Sequence, residues 1–325
     1  MKQRIQYVDF FRGGGILLMV MGHIGFGAAF DKLIHGFHMP MFFFISGFMY
    51  KHKDMNLLDT VRKKAKSLLL PYAVFGLLFL LIDIVKNGFD IEHILNVIWK
   101  PTDGVPIAGA LWFLMAMFIS DVIYDAVDKT IASNGLRIAV IGVIALIGCF
   151  ARRIIDVTLP FALSAAMVGA GLKECGRQAK GLGEKYRINN RIISGSVSIA
   201  VFLVGMLIVW YNGNINMRQG QYANVLLFWI SAVAICCSLL SLSFLWIDLG
   251  KLKLINSVVC SIGEESIVYL CLNEAVIAVL IALRDKLVSV SVVSQVAVLV
   301  LTMLVLYVIS KLVMRTKLRI IFGKK

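Results

Sequence analysis

The chain has 325 residues, 59% of them hydrophobic and 16% charged, with a formal net charge of +14. A soluble globular chain of this length has no need of so much apolar surface. The composition therefore points to an all-α polytopic membrane helix bundle. A transmembrane β-barrel is excluded because it would alternate apolar and polar residues, whereas the apolar runs here are continuous.

Ten spans are predicted in chain order, at roughly residues 10–29, 35–50, 66–86, 107–127, 136–151, 158–175, 192–211, 222–247, 263–283 and 290–312. Lys2 and Arg4 precede the first apolar run, as in a signal peptide. Arg12 interrupts that run and no small-residue cleavage site follows, so the segment reads as a retained first span. The longest loops, 87–106 and 174–191, are about twenty residues each, too short to fold alone. Residues 1–325 accordingly read as one transmembrane domain with no separate soluble domain. The outer loop has turn chemistry at both ends, Asn87-Gly88 and Pro101-Thr102-Asp103-Gly104-Val105-Pro106.

The basic residues explain their own excess. With ten spans, Lys2 and Arg4, six bases in 51–66, two in 128–137, six in 173–191, Lys251 and Lys253, and six from Lys311 to Lys325 fall on one side. That is 24 of the 33; eight lie on the other side and Arg12 lies within the first span. This is the positive-inside pattern, with both termini cytoplasmic, and it removes the reason to invoke nucleic acid as a partner. The six cysteines have neither metal-ligand nor disulfide spacing and read as reduced, small apolar residues.

The first span holds the most informative pair. From Gly13 to Phe30 the only ionisable residue is His23, and an intramembrane His or Arg is by default a functional candidate. His23 lies eleven positions after Arg12. At about 100° per residue they share one helix face, about 16 Å apart along the axis. Asp9, three residues before Arg12, is placed to pair with it at the membrane edge. The expected arrangement is a cation at the lip and an imidazole halfway down a semi-dry cavity, kept neutral by desolvation and so able to act as a base. Six glycines in the same stretch (13, 14, 15, 22, 25 and 27) imply close helix contact.

In the second span Pro40 should kink the helix, and His35 and His38 stand at its outer end. No carboxylate or Cys joins them at ligand spacing, so no metal site is expected. Lys51, Lys53, Arg62, Lys63, Lys64 and Lys66 form the strongest basic segment, an inside anchor that could also funnel an anionic cosubstrate. Arg152 and Arg153 depart from the charge rule by facing outward. Trp112 reads as an interfacial aromatic. Asn273 and Glu274 fall within the ninth span, where one of them should face the protein interior.

Tyr7-Val8-Asp9-Phe10-Phe11-Arg12-Gly13, followed at the stated spacing by His23, resembles the first-helix signature of the membrane-bound acyltransferase 3 family. His38-Met39-Pro40-Met41-Phe42-Phe43-Phe44-Ile45-Ser46-Gly47-Phe48 is similar to its second-helix block. The basic run into Leu70-Pro71-Tyr72, and then Leu111-Trp112-Phe113-Leu114, resemble the next landmarks. Gly263 and Ser266 to Asn273 resemble its late helix, with Asn273 where many members carry His.

The resemblance covers nearly the whole chain. It implies transfer of an acyl group, usually acetyl from cytoplasmic acetyl-CoA, to a hydroxyl of a surface or lipid-linked carbohydrate at the bacterial inner membrane. It further implies Arg12 and His23 as the catalytic pair, with Arg62, Lys63 and Lys66 as contacts for the acyl-CoA and Asp9, His38, Trp112 and Asn273 in support. The acyl-CoA is a cosubstrate, and no permanently bound cofactor is implied. The rival from another class is a proton-coupled secondary transporter or glycan flippase using His23 as a relay, which an internal repeat would have favoured. No such repeat is evident.

Overall fold

The computed structural model describes residues 5–52, 56–103, 105, 107–156, 158–185 and 190–324. Lys2, Arg4, Lys53, Gly104, Pro106, Arg187 and Lys325, which enter the charge and turn readings above, lie outside them. The described residues are helical, with no β-strand among them. In chain order the helices are α1 (Gln6–Ile24), α2 (Ala28–His35), α3 (His38–Phe48), α4 (Leu57–Lys64), α5 (Leu70–Asn87), α6 (Ile91–Trp99) and α7 (Trp112–Thr130). There follow α8 (Asn134–Ile155), α9 (Leu163–Lys185), α10 (Arg191–Asn212), α11 (Val225–Asp248), α12 (Lys253–Glu264), α13 (Ser266–Leu287) and α14 (Val292–Arg315).

Among the described residues seven helical stretches are long and apolar enough to cross a membrane: Leu57–Asn87, Gly109–Thr130, Asn134–Ile155, Arg191–Asn212, Val225–Asp248, Ser266–Leu287 and Val292–Arg315. They coincide with seven of the ten expected spans. The first of them joins α4 to α5 through a π-helical turn, Ala65–Leu69, and places Pro71 in the first turn of α5. Outward faces of these helices are apolar: Leu77, Leu81 and Val85 form an exposed i, i+4, i+8 stripe on α5. Such a stripe is a liability in water and the proper surface in lipid.

The other three expected spans take different forms. α1 has 19 residues but carries Asp9, Arg12 and His23, and it ends at Gly25 (φ 79°). Gly27 (φ 106°) then leads into α2. Glycine tolerates these positive φ values, so the chain turns where an uninterrupted run to residue 29 was expected. The second span is divided: α2 ends at His35 and α3 has 11 residues. At 1.5 Å per residue α3 is about half a bilayer long. Pro40 is the third residue of α3, within its first turn. There its missing N–H has no intrahelical partner to lose, so it starts the helix rather than kinking it. α9 continues to Lys185, well into the segment expected as an inside loop.

The chain divides into two compact units. One comprises Met1–Tyr50, Leu172–Asn216 and Tyr222–Ser266, and the other Lys51–Gly171, Met217–Gln221 and Ile267–Lys325. In the first unit glycines let helices cross at backbone contact. A Cβ on Gly263 of α12 would lie 1.8 Å from the Asp9 carbonyl oxygen, and one on Gly13 of α1 would lie 2.2 Å from that of Val259. Phe42 of α3 rests on Gly15, and Ile34 of α2 on Gly22. Gly13, Gly15 and Gly22 are thus packing positions, as expected, whereas Gly14, Gly25 and Gly27 have no such neighbour. α3 and α9 meet through a reciprocal pair: a Cβ on Gly47 would reach 1.8 Å from the Lys173 carbonyl oxygen, and one on Gly176 would reach 1.9 Å from that of Phe44.

Because both obstacles are backbone, Gly47→Ala should shift α3 against α9. The expected loss is at least about 1–3 kcal/mol, typical of overpacking. A lowered thermal midpoint of the detergent-purified variant is the readout, and an unchanged midpoint would refute the crossing.

Candidate active site

In the first unit, Asp9 lies in the opening turn of α1, where a carboxylate suits the positive end of the helix dipole. Arg12, one turn later, reaches it with Nη1 at 3.7 Å from Oδ1. The Arg12 side chain is 32% exposed and that of Asp9 15%, so the guanidinium is held by its neighbour yet open on one side. The expected pairing is present. His23 lies on the same continuous helix, in its last turn. It is exposed rather than enclosed, because the chain turns away two residues later at Gly25. The expectation of an imidazole halfway down a semi-dry cavity is corrected accordingly.

Two further imidazoles stand close to one another in this unit. The His38 Nδ1–H donates to the Ile34 carbonyl at 2.7 Å, and the His35 Nδ1–H donates to that of Asp31 at 2.5 Å. A carbonyl only accepts, so in its neutral form each ring presents Nε2 as the lone-pair nitrogen. The rings meet edge to face, 5.2 Å between centroids. His38 is buried and lies within electrostatic reach of both His35 and His23.

In the second unit the basic segment divides by role. Lys64 forms an ion pair with Asp121 of α7. The Lys129 ammonium donates to the Thr60 hydroxyl at 3.2 Å, fastening α4 to the far end of α7. Arg62, Lys63 and Lys66 are exposed, Lys66 within the π-helical turn. Arg62 has Asp59 at 3.8 Å, an exposed pair that contributes little and leaves the guanidinium available.

Asn273 on α13 is completely buried. Its amide donates to the Tyr269 and Leu270 carbonyls at 3.0 and 2.9 Å, while Oδ1 has no partner among the described residues. Glu274 beside it accepts the backbone N–H groups of Gly109 (2.8 Å) and Ala110 (2.6 Å). These are opening donors of the helical stretch that continues into α7, which have no intrahelical partner. Arg218 donates through Nε to the Thr102 carbonyl at 2.5 Å. A Cβ on Gly109 would lie 3.0 Å from an Arg218 nitrogen, so the two charged side chains converge on that glycine. Trp112 enters α7 directly after this fastened turn and is buried with its ring edge-on to Phe113. It is a packing residue of the unit, not the interfacial aromatic expected. Arg152, expected outside for a purpose, donates to the Gln219 carbonyl at 3.1 Å and so holds the same short segment as Arg218.

A family model described as an acyltransferase domain, that of the acyltransferase 3 family, matches residues 5–311. The chain belongs to the acyltransferase 3 family. No curated protein matches it. With seven apolar helices among its described residues, this acyltransferase is a multi-pass membrane protein.

Within the acyltransferase, the first unit brings together Asp9, Arg12, His23 and His38 on α1 and α3. Arg62, Lys63, Lys66, Trp112 and Asn273 belong to the second unit. Sequence reasoning missed His52, whose Nδ1 lies 2.7 Å from Oδ2 of Asp128, and passed over the stripe Asp121, Asp125 and Asp128. The stripe was legible: carboxylates at i, i+4 and i+7 occupy one face of α7, and all three are buried. Among the described residues no group of three or more His, Cys, Asp or Glu side chains is placed to hold a metal ion.

Removing the Glu274 carboxylate should loosen the entry into α7. Glu274→Ala leaves two buried amide donors without acceptors, a loss of about 1–3 kcal/mol for each, whereas Glu274→Gln retains one acceptor oxygen. Thermal unfolding of the purified variants checks the order wild type, Gln, Ala; equal midpoints would refute the clamp.

Proposed function

We propose that this acyltransferase moves an acyl group, acetyl in the first instance, from cytoplasmic acyl-CoA to a hydroxyl of a surface or lipid-linked carbohydrate, at the bacterial inner membrane. The observation that carries the proposal is the placement of Arg12 and His23 on one continuous helix of an acyltransferase-family chain. Arg12 is anchored by Asp9, and His23 is exposed at the helix end. An accessible imidazole can deprotonate the acceptor hydroxyl as a general base or accept the acyl group itself. A guanidinium open on one side can orient the thioester donor or stabilise the charge that develops on its carbonyl oxygen. Arg62, Lys63 and Lys66, exposed on one stretch, suit the phosphates of the donor. His38, buried and within electrostatic reach of His23, is the supporting residue of this reading. The transporter reading has no observation of its own, and the family match favours the transferase.

Ten membrane crossings with cytoplasmic termini complete the proposal, on the 24-to-8 distribution of basic residues. Reporters fused after Lys325 or placed near Gly181 are expected to read cytoplasmic, and one near Asp103 external. An external carboxyl terminus would overturn this topology, with the division at α2 and α3 the first place to look. The function itself is tested by mass spectrometry of surface glycans from cells with and without the gene. Loss of an acyl increment is expected, and identical glycans would refute the proposed acceptor class.

A further inference from the structure

The second unit contains an imidazole–carboxylate pair that the proposed function leaves unused. The His52 Nδ1 and Asp128 Oδ2 are 2.7 Å apart; the Asp128 side chain is 2% exposed and that of His52 53%. Arg137, itself buried, lies 3.7 Å from the other oxygen of Asp128 and pairs with that carboxylate. An ionised carboxylate only accepts hydrogen bonds, so Nδ1 carries the proton. In the neutral ring Nε2 then carries the lone pair, and among the described residues it has no hydrogen-bond partner. Arg137 already answers the charge of Asp128, so charge balance does not require His52. What the pair supplies is an imidazole of fixed tautomer and orientation, with its nucleophilic nitrogen facing out.

The surroundings indicate what it could act on. Lys129, next to Asp128, fastens Thr60 of α4, so the pair and the basic helix share one end of the unit. Lys51, Arg62, Lys63 and Lys66 are all exposed. A carrier bearing phosphates suits those cations, and the electrophile such a carrier brings to an imidazole is an acyl thioester.

We propose that His52, oriented by Asp128, is an acyl-accepting nucleophile for the acyl-CoA donor; this rests on the donor named under the proposed function. Nε2 adds to the thioester carbonyl carbon, the C–S bond breaks, and CoA leaves as the thiolate. The acyl group remains on Nε2, and the positive charge of the acylated ring is stabilised by the Nδ1–H hydrogen bond to Asp128. Attack by an acceptor oxygen then breaks the C–N bond. Nε2 regains its lone pair, and the acceptor's proton passes to the CoA thiolate. Asp128 is a positioning residue: it touches no reacting atom and acts through the ring.

The test uses the full-length purified protein with acetyl-CoA labelled in the acetyl group. Wild type is expected to release CoA and to hold label on His52 that neutral hydroxylamine removes. His52→Ala is expected to release CoA roughly 10²-fold more slowly or worse, to bind CoA unchanged, and to recover release when free imidazole is added. A purely structural role for His52 would not give that rescue. Asp128→Asn, which presents an amide to Nδ1, should slow release without abolishing CoA binding. Wild-type release from His52→Ala, or label found on His23 instead, overturns the inference and leaves the proposed function standing. If wild type neither binds CoA nor releases it from acetyl-CoA, the donor assignment and the inference fall together.

Discussion

His23→Ala is expected to abolish acyl transfer while the chain still inserts and accumulates. Loss of a positioned general base costs about 10²–10⁴-fold, and loss of an acyl carrier would cost more. Folding should be spared because His23 is exposed in the last turn of α1, and the turn that follows is set by Gly25 and Gly27 rather than by the imidazole. Glycans from cells carrying the variant, compared at equal membrane abundance, give the readout. Near wild-type acylation would remove His23 from the mechanism. A His38→Ala variant separates chemistry from field effects. His38 is buried against α2 and acts on His23 only at a distance, so its loss should weaken transfer less than loss of His23 does.

Much of the bundle could be read from the chain because seven helical stretches among the described residues each hold a strongly apolar window close to the thickness of a bilayer, with few charges in it. The remainder was obscured for identifiable reasons. In the first span Gly25 and Gly27 were counted with the packing glycines, yet their positive φ values end α1 and put His23 at a helix end. Gly13, Gly15 and Gly22 do pack, and only neighbours distant in sequence distinguish the two roles. In the second span hydrophobicity hid a break, and Pro40, expected to bend a helix, begins one. The Arg12–Asp9 pair was legible because its partners are three residues apart. His52 and Asp128 are 76 apart, and no local pattern announces their contact. Glu274 was correctly suspected as an intramembrane carboxylate, but what satisfies it is the backbone at 109–110, which carries no side-chain signature.

Arg12→Lys separates the transferase from a transporter more sharply than any other change. A guanidinium can grip an anionic or thioester group with two N–H donors while still facing Asp9; an ammonium on a flexible stem supplies charge without that fork. Lysine preserves the positive charge at the start of α1 and so the insertion signal, which makes the substitution nearly neutral for topology. Transfer should therefore fall sharply in Arg12→Lys and further in Arg12→Ala, both at normal membrane abundance. Acetyl-CoA binding by the purified wild type should weaken as salt rises, because contacts between phosphates and the exposed Arg62, Lys63 and Lys66 are screened over a Debye length of about 8–10 Å at physiological ionic strength. A solute carrier has no reason to recognise CoA. Salt-sensitive CoA binding that survives Arg12→Lys while transfer is lost would assign Arg12 to the transfer step rather than to holding the donor. Full activity of Arg12→Lys would show that charge alone suffices there, and the bidentate role would have to be given up.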